Sequence, residues 1–580
     1  MFIPISIDEC HALGWDRLDV IFVTGDAYID SSYDGTALLG KYLISLGYKV
    51  GIIPQPDISS SDDISIFGEP RLFWGVTGGC VDSMVANYTA LKKPKRSDDL
   101  TPGGRNDRRP DRAVIRYTNL IKQTFKHTNP IVIGGIEASL RRIAHYDFWS
   151  DSIRRSVLFD SKADYLIYGM AEKTVKELIE KLDKNEDPRD LRGLCYIAKE
   201  AIKDYIQIHS YEDVKSDNMK LIEMFHDFYK NNDPLNADGL CQKHGDRYLI
   251  QNPPNYYLNQ EELDHIFSLE FERDVHPKLK QQGEVKALAT IQYSINSHRG
   301  CYGECNFCSI TVHQGRTIRS RSEESILNEA RDIARHSGFK GYISDVGGAT
   351  ANMYGNTCKK QTKKGSCKDQ RCAFPELCKG MKIDHKPQIQ LLEKLRKEEG
   401  IKKAFVGSGL RYDLIFGDDN HGGRYNKDVI KHHVSGQMKI APEHTEDKVL
   451  ELMGKPGKDV LKRFKDEFYR ITSESGKNQF LTYYLISSHP GCTEKEMKGL
   501  NEFVKDELKI NPEQVQIFTP TPSTYSSLMY YTGLNPFTLE KIHVEKEYKG
   551  KDNQKKMITG GIKKTNKPRP KSRKFQKKGR

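Results

Sequence analysis

The chain has 580 residues, of which 37% are hydrophobic, with 91 Lys and Arg against 79 Asp and Glu. This length excludes a small disulfide-stapled scaffold and predicts about three or four domains of ordinary size. No stretch approaches the ~18–20 apolar residues of a membrane helix, and the N-terminus lacks the regions of a signal peptide. We therefore expect a cytoplasmic protein without membrane contact.

The first part of the chain contains short apolar runs that are typical of buried strands. One run covers residues 18–23, a helical pattern follows, and further runs come at 50–53 and at 130–135. This order of strand, helix and strand indicates βαβ units, so we expect a Rossmann-like α/β domain over residues 1–195. Residues 196–285 are less regular and are expected to form a connecting segment.

From residue 286 to residue 535, strand and helix patterns alternate regularly. Strands separated by helices are typical of a parallel sheet. If the six strands lie in sequence order, they curve into an open or partial (β/α)6 barrel, with its active site at the carboxyl ends of the strands. The candidate strands are residues 287–295, 341–346, 403–408, 437–441, 480–487 and 514–519.

A compact cysteine motif follows the first of these strands directly. Cys301, Cys305 and Cys308 have the spacing Cys-x3-Cys-x2-Cys. Three thiolates on one loop can each bind one iron of a 4Fe-4S cubane, so one iron has no cysteine from the motif. That iron has open coordination, and the amino and carboxylate groups of S-adenosylmethionine form a suitable chelate for it. The alternative is a zinc site of three cysteines and a distant histidine.

The loop resembles the cluster motif of the radical S-adenosylmethionine (radical SAM) enzymes, including the aromatic Phe307 before the last cysteine. The resemblance implies reductive cleavage of the sulfonium to a 5'-deoxyadenosyl radical, which abstracts hydrogen from a substrate. Gly347 and Gly348 resemble the glycine-rich cofactor motif after the second strand, where backbone carbonyls can approach the amino group. A plain tight turn is the competing explanation for these glycines.

Three residues at later strand ends are further candidates for contact with the cofactor or the substrate. For each of them, ordinary strand-end packing or capping is the alternative. The candidates are Ser408, Arg411 and Glu443.

Several segments together resemble one family, the YgiQ family of radical SAM proteins. They extend over residues 20–535, which is nearly the whole chain. The resemblance implies an enzyme with a 4Fe-4S cluster and S-adenosylmethionine as cofactors, but it identifies neither a substrate nor a catalytic residue. The matching segments are residues 25–30, 75–79 with 81–84, 134–142, 347–354, 488–491 and 518–524.

A second group of cysteines lies in a lysine-rich insertion, residues 355–380, after the second strand of the barrel. Four thiols can hold an auxiliary iron-sulfur cluster or a structural zinc ion. Free thiols or a redox pair are the third interpretation, because the spacing is irregular. The four residues are Cys358, Cys367, Cys372 and Cys378.

The N-terminal domain also has a motif similar to that of cobalamin-binding domains. Asp30, Ser32 and Gly35 have the spacing of the Asp-x-His-x-x-Gly motif, but Ser32 stands where the cobalt-ligating histidine is found. We therefore expect a cobalamin-binding-like fold and regard cobalamin as an unlikely cofactor.

The positive charge of the chain is concentrated at its C-terminal end. Residues 549–580 contain 14 Lys and Arg and one acidic residue, and the rest of the chain is close to neutral. We expect residues 536–580 to form a basic disordered tail, which either binds RNA or is a solubilising end. The expected electron donor is of the flavodoxin or ferredoxin type. The alternatives are an iron-sulfur or zinc protein that binds RNA or the ribosome, and a radical methyl- or methylthiotransferase acting on RNA or protein.

Overall fold

The N-terminal half of the chain is built around one large sheet. Val, Ile and Phe side chains of its first strands are buried, as expected for parallel strands with helices on both faces. The computed structural model describes residues 1–512 and 515–560. The strands of this half are β1 Val20–Thr24, β2 Val50–Pro54, β3 Phe73–Thr77, β4 Ile131–Gly134, β5 His145–Asp147, β6 Ser152–Arg154, β7 Tyr165–Ile167, β8 Leu194–Ala198, β9 Ile206–Ile208, β10 Leu240–His244 and β11 Arg247–Gln251.

Nine of these strands form a single mixed sheet in the order β2-β1-β3-β4-β7-β8-β11-β10-β9. The first five strands of this order are parallel, while β8 runs antiparallel to both β7 and β11. The segment 196–285 therefore contributes strands to the N-terminal sheet, where we expected only a connection. Its strands are short and partly polar, as in the sequence LCQKH of β10, so they lack the signal of a fully buried strand.

The second half forms the predicted partial barrel. Its strands are β12 Ser294–Asn296, β13 His298–Arg299, β14 Arg319–Ser320, β15 Tyr342–Ile343, β16 Asp345–Gly347, β17 Lys403–Ala404, β18 Gln437–Glu443, β19 Phe480–Ser487 and β20 Val515–Ile517. Parallel pairs join β12 to β16, β15 to β17, β18 to β19 and β19 to β20, and a parallel bridge from Leu410 to Ile440 joins the third strand position to β18. Six strand positions thus lie in sequence order, and the α/β fold prediction is confirmed. The first strand starts later than predicted, because Leu288–Ile291 is helical.

Helices cover both sheets, and several begin at a side-chain cap. Asp34, for example, accepts a hydrogen bond from the Thr36 N–H at 2.8 Å at the start of Gly35–Ser45. The α-helices of the first half are Ile7–Ala12, Gly35–Ser45, Asp62–Ser65, Ser83–Asn87, Ala113–Thr124, Gly135–Ser139, Val157–Ser161, Glu172–Asp183, Tyr211–Ser216, Asn218–Lys230, Gln260–Phe267 and Pro277–Lys280. Those of the second half are Leu288–Ile291, Ile310–Gln314, Glu323–Arg335, Lys359–Lys364, Lys386–Leu395, Tyr412–Phe416, Gly422–His432, Asp447–Met453, Lys458–Glu474, Glu494–Phe503, Tyr525–Thr532 and Tyr548–Thr559.

The last of these helices lies within the stretch that we expected to be disordered. Lys551, Gln554 and Ile558 of Tyr548–Thr559 are buried, and the Gln554 amide donates to the Cys492 carbonyl at 3.2 Å. The expectation of disorder is therefore wrong for this helix, whose buried face stabilises it despite its many lysines. Residues 561–580, which carry most of the basic cluster, lie outside the described residues.

The two halves share one hydrophobic core and a buried ion cluster. Phe518 and Tyr525 pack among the side chains of the N-terminal sheet. The Glu329 carboxylate lies between the guanidinium groups of Arg273 and Arg321, at 2.5 Å from Arg273. These contacts fix the carboxyl edge of the N-terminal sheet against the barrel. Within the described part of the chain, no helix is both long and apolar enough to cross a bilayer.

Candidate active site

The cysteine motif lies on a loop that is closed at both ends. It leaves the carboxyl end of the first barrel strand through β13, which pairs with β14 so that His298 lies opposite Ser320. Gly300 has a φ of +86°, and a Cβ at this position would lie 2.4 Å from the Thr317 carbonyl oxygen. Only glycine satisfies both the backbone angle and the close contact, so the loop entrance is fixed by its sequence.

Protein groups surround the sulfur atoms of the motif. The Gly303 N–H donates to Cys301 Sγ at 3.4 Å, and Thr350 Oγ1 lies 3.5 Å from the same sulfur. Arg411 Nη1 lies 3.9 Å from Cys305 Sγ. Donors directed at cysteine sulfur favour the thiolate, which is the form that binds iron.

The three thiols are close enough to influence each other's ionisation. Burial raises the pKa of Cys308 to about 12, and the charge of Cys305 raises it further. Burial also raises the pKa of Cys301, and Cys305 adds to this shift. A bound cation compensates the negative charge that this environment disfavours, so the donor set fits a metal cluster.

Arg411 connects the cluster loop to the rest of the site. It is 7% exposed, and its Nη2 lies 2.5 Å from Asp413 Oδ2. Its Nη1 donates to the Gly303 carbonyl at 3.3 Å and its Nη2 to the Ala373 carbonyl at 3.4 Å. The guanidinium is thus engaged with the protein, and the predicted contact of Arg411 with the cofactor stays a prediction.

The two glycines of the predicted cofactor motif have different surroundings. The Gly347 carbonyl accepts hydrogen bonds from the Ser297 N–H at 2.7 Å and from the Ser297 hydroxyl at 2.9 Å. A Cβ on Gly348 would lie 2.8 Å from Cε1 of His298, so a glycine is required for this close packing. Gly347 therefore serves strand pairing, which leaves Gly348 as the stronger candidate of the pair for the cofactor contact.

Ser408 is held by an acidic residue that sequence reasoning missed. Its hydroxyl and its N–H both donate to the Asp345 carboxylate, which also accepts from the Gly407 N–H at 2.7 Å. Burial raises the pKa of Asp345, and the hydrogen bonds from Ser408 oppose this shift. Ser408 thus closes the gap between two neighbouring strand ends, and its predicted cofactor contact stays a prediction. The sequence feature that could have identified this residue is its position: Asp345 is an acidic residue at the start of β16, within an otherwise apolar run.

Glu443 presents a buried carboxyl group at the end of β18. Its exposure is 9%, its φ is +69°, and the strand register shifts between Ile440 and Glu443. Burial raises the pKa of Glu443, a shift that the charge of Lys455 opposes. Its charge in turn contributes to the raised pKa of Cys308, which places Glu443 near the cluster loop. A left-handed backbone at a non-glycine residue costs about 1 kcal/mol or more and is often found at functional sites.

Phe307 faces the protein interior. It packs against both hydrophobic cores, and its ring centroid lies 6.4 Å from that of His489 in an edge-to-face arrangement. The aromatic residue of the motif thus anchors the loop between the two halves of the protein. A direct contact with the cofactor stays a prediction.

The cysteine-rich insertion packs directly on the cluster loop. Cys358 and Cys372 are buried in an apolar cluster with Tyr302, and Cys301 and Cys378 pack against this cluster. The structure therefore brings the two cysteine groups of the sequence side by side.

A cavity of about 440 Å³ lies between the carboxyl edge of the N-terminal sheet and the cluster loop. Glycines line its sheet side, and residues on both flanks of the cysteine motif, from Asn296 to Gln314, line its barrel side. Ser32 of the cobalamin-like motif also lines it, whereas Asp30 is buried and pairs with Lys41 at 3.1 Å. Wall residues include Thr24, Thr77, Gly79, Gly134, Gly135, Gly169, Asn296, Arg299, Ile310 and His313.

Comparisons with known proteins agree with these observations. The family model described as Radical SAM N-terminal matches residues 2–294. A UPF0313 protein of Fusobacterium nucleatum subsp. nucleatum is 56% identical over 96% of this chain and 98% of its own length. A UPF0313 protein of Clostridium botulinum (strain Okra / Type B1) is 46% identical over 97% of this chain and 87% of its own length.

Two solved structures have a similar fold. The radical S-adenosylmethionine methyltransferase TsrM from Kitasatospora setae, with cobalamin and a [4Fe-4S] cluster, has a TM-score of 0.49 at 13% identity, covering 88% of this chain and 74% of its own. The cobalamin-dependent S-adenosylmethionine radical enzyme OxsB, with aqua-cobalamin, has a TM-score of 0.49 at 14% identity, and the match covers 90% of this chain and 57% of its own. Both structures hold cobalamin, which conflicts with our expectation that cobalamin is an unlikely cofactor. The relatives and the family model show that the chain belongs to the UPF0313 (YgiQ) family of radical SAM proteins.

Proposed function

We propose that this protein is a radical SAM enzyme that binds a 4Fe-4S cluster through Cys301, Cys305 and Cys308 and cleaves S-adenosylmethionine. The observation that carries the proposal is the position of three half-buried, neighbouring thiols at the carboxyl end of the first strand of a six-stranded parallel barrel. When bound, the cluster supplies the electron for cleavage of the sulfonium. The substrate is unidentified.

The residues around the cluster loop bind and orient the cofactor in this proposal. Glu443 offers a buried carboxylate to the amino or hydroxyl groups of S-adenosylmethionine, and Gly348 allows the cofactor close access to the backbone. Arg411 holds the loop in place through the Gly303 carbonyl and Cys305. The burial of this region keeps water away from reactive species.

The cavity between the sheet and the barrel is the proposed substrate site. Arg299 and His313 approach it from the cluster side, and Thr24 and Thr77 approach it from strand ends of the N-terminal sheet. Burial lowers the pKa of His313 to about 4, so this imidazole is neutral at pH 7. The cavity therefore offers hydrogen-bonding groups and the ion pair of Arg299 with Glu172 at 2.6 Å, which suits a polar substrate.

The electron donor is proposed to dock on the cysteine-rich insertion. Lys359, Lys360, Lys363 and Lys364 are exposed in and around one short helix of this insertion. Flavodoxin- and ferredoxin-type donors that present an acidic surface match this charge. Replacement of the four lysines by glutamate should slow reduction by such a donor and leave reduction by dithionite unchanged.

Anaerobic reconstitution with iron and sulfide tests the proposed activity. Reduced protein with S-adenosylmethionine should release 5'-deoxyadenosine, whereas the Cys305→Ala variant should release none. If folded, iron-loaded protein releases no 5'-deoxyadenosine but binds RNA in a salt-sensitive manner, the RNA-binding alternative replaces the enzyme. Comparison of methylated and methylthiolated nucleosides and proteins between a deletion strain and its parent tests the transferase alternative.

A further inference from the structure

The four cysteines of the insertion lie in one region of the fold. Cys358 and Cys372 are buried in the same apolar cluster, and Cys378 packs against that cluster. Cys367 precedes Cys372 by five residues on the same loop. Since none of them forms a disulfide, all four sulfurs are available as ligands.

The loop is closed so as to hold these thiols together. A backbone bridge joins Thr357 to Lys382 at its two ends. Inside it, the Cys378 N–H donates to the Cys372 carbonyl at 2.9 Å. A group bound to the thiols at the centre of the loop would add to the stability that its small apolar cluster provides.

Hydrogen-bond donors point at the sulfur atoms. The Gln361 amide donates to Cys372 Sγ at 3.4 Å, and the Gly380 N–H donates to Cys378 Sγ at 3.4 Å. A hydrogen bond to Cys367 raises the pKa of the exposed Lys360. Donors of this kind stabilise thiolates and are the usual outer contacts of iron-sulfur ligands.

The spacing of the thiols distinguishes a cluster from a single ion. Zinc–sulfur bonds of about 2.3 Å in a tetrahedron place ligand sulfurs about 3.8 Å apart. Over residues 1–512 and 515–560, the one set of three or more metal-binding atoms mutually within 4.8 Å consists of Asp384, Asp418 and His421. The sulfurs of the insertion are therefore spread more widely than in a zinc tetrathiolate. A cubane binds each sulfur through a different iron and therefore accommodates sulfurs that lie further apart.

We propose that Cys358, Cys367, Cys372 and Cys378 bind a second, fully cysteine-ligated 4Fe-4S cluster next to the cluster loop. Two contacts join the two sites: Tyr302 packs with Cys358 and Cys372, and Arg411 bonds to carbonyls on both loops. A cluster with four cysteine ligands has no open iron, so it binds no S-adenosylmethionine and serves electron transfer. The second site goes beyond the proposed function and does not depend on it.

Iron analysis of full-length variants, prepared and reconstituted without air, tests the second site. The Cys301→Ala/Cys305→Ala/Cys308→Ala variant lacks the first cluster and should retain about four irons with the Mössbauer spectrum of a cubane, where the wild type holds about eight. One zinc and no iron in this triple variant would overturn the proposal, and so would the absence of any bound metal. Because this variant leaves the insertion intact, the result is independent of whether the first site works as proposed.

A single ligand substitution provides the complementary measurement. Cys378 is only partly buried, so Cys378→Ser should preserve the fold, as judged by circular dichroism, and reduce the iron content of the triple variant by at least one equivalent. Cys80→Ser is the matched control, because Cys80 is exposed and far from the insertion in sequence, and its iron content should equal that of the parent. Unchanged iron in Cys378→Ser would count against the four-cysteine site.

Discussion

Arg411 has two roles that substitution can distinguish: it supports the cluster loop, and it stabilises the folded protein. Arg411→Met should impair both. The side chain forms a buried ion pair with Asp413, both partners being less than 10% exposed. Removal of one partner leaves a buried unpaired charge, which costs about 3–5 kcal/mol of unfolding free energy. Arg424→Met is the control, because Arg424 pairs with Glu393 on the surface and should cost less than about 1 kcal/mol.

The double variant Arg411→Met/Asp413→Leu removes both charges. Replacement of a buried ion pair by apolar residues is often nearly neutral, so urea unfolding should return close to the wild-type midpoint. The Gly303 carbonyl and Cys305 still lack their donor, so iron content and 5'-deoxyadenosine release should remain low. An Arg411→Met variant that is no less stable than Arg424→Met, or a double variant that keeps the iron and the activity of the wild type, would contradict this role of Arg411.

Two further predictions concern packing and pH. Gly348→Ala should lower 5'-deoxyadenosine release at least tenfold, because its Cβ would lie 2.8 Å from His298. Gly409→Ala is the control and should be close to neutral, because the space around Gly409 is open. Equal activities of the two variants would contradict the packing argument. Burial lowers the pKa of Lys551 to about 8, so the unfolded state binds more protons between pH 8 and the ordinary lysine pKa near 10.4. Over this range the unfolding free energy of the wild type should rise by about 2 kcal/mol relative to Lys551→Met, and a parallel course of the two pH profiles would show that the ammonium is not buried. Lys556→Met, at an exposed position of the same helix, should follow the wild type.

The sequence predicted the elements that have strong local signals. The strands at 437–443 and 480–487 have alternating buried and more exposed side chains, and they occur close to the predicted positions. The spacing of the cysteine motif likewise depends only on neighbouring residues. Local patterns of this kind predict the structure because the residues that form the element also line the site.

Features that depend on distant contacts could not be predicted. Nothing near Ser408 in sequence shows that its hydroxyl donates to Asp345, 63 residues earlier. The helix Tyr548–Thr559 has a lysine-rich sequence, and only its packing against the barrel shows that Lys551 is buried. The strands after residue 195 were missed for the same reason, since they are stabilised by pairing with strands far away in the chain.

The most direct test of the account is whether S-adenosylmethionine binds the iron that the cluster motif leaves without a cysteine. The variant with Cys358, Cys367, Cys372 and Cys378 replaced by serine isolates that cluster, and its reduced form can be studied by pulsed electron paramagnetic resonance. With S-adenosylmethionine labelled by nitrogen-15 at the amino group, we expect a hyperfine coupling to the label, which disappears in Cys308→Ala. A cluster whose spectrum is unchanged by the labelled cofactor would contradict the central claim.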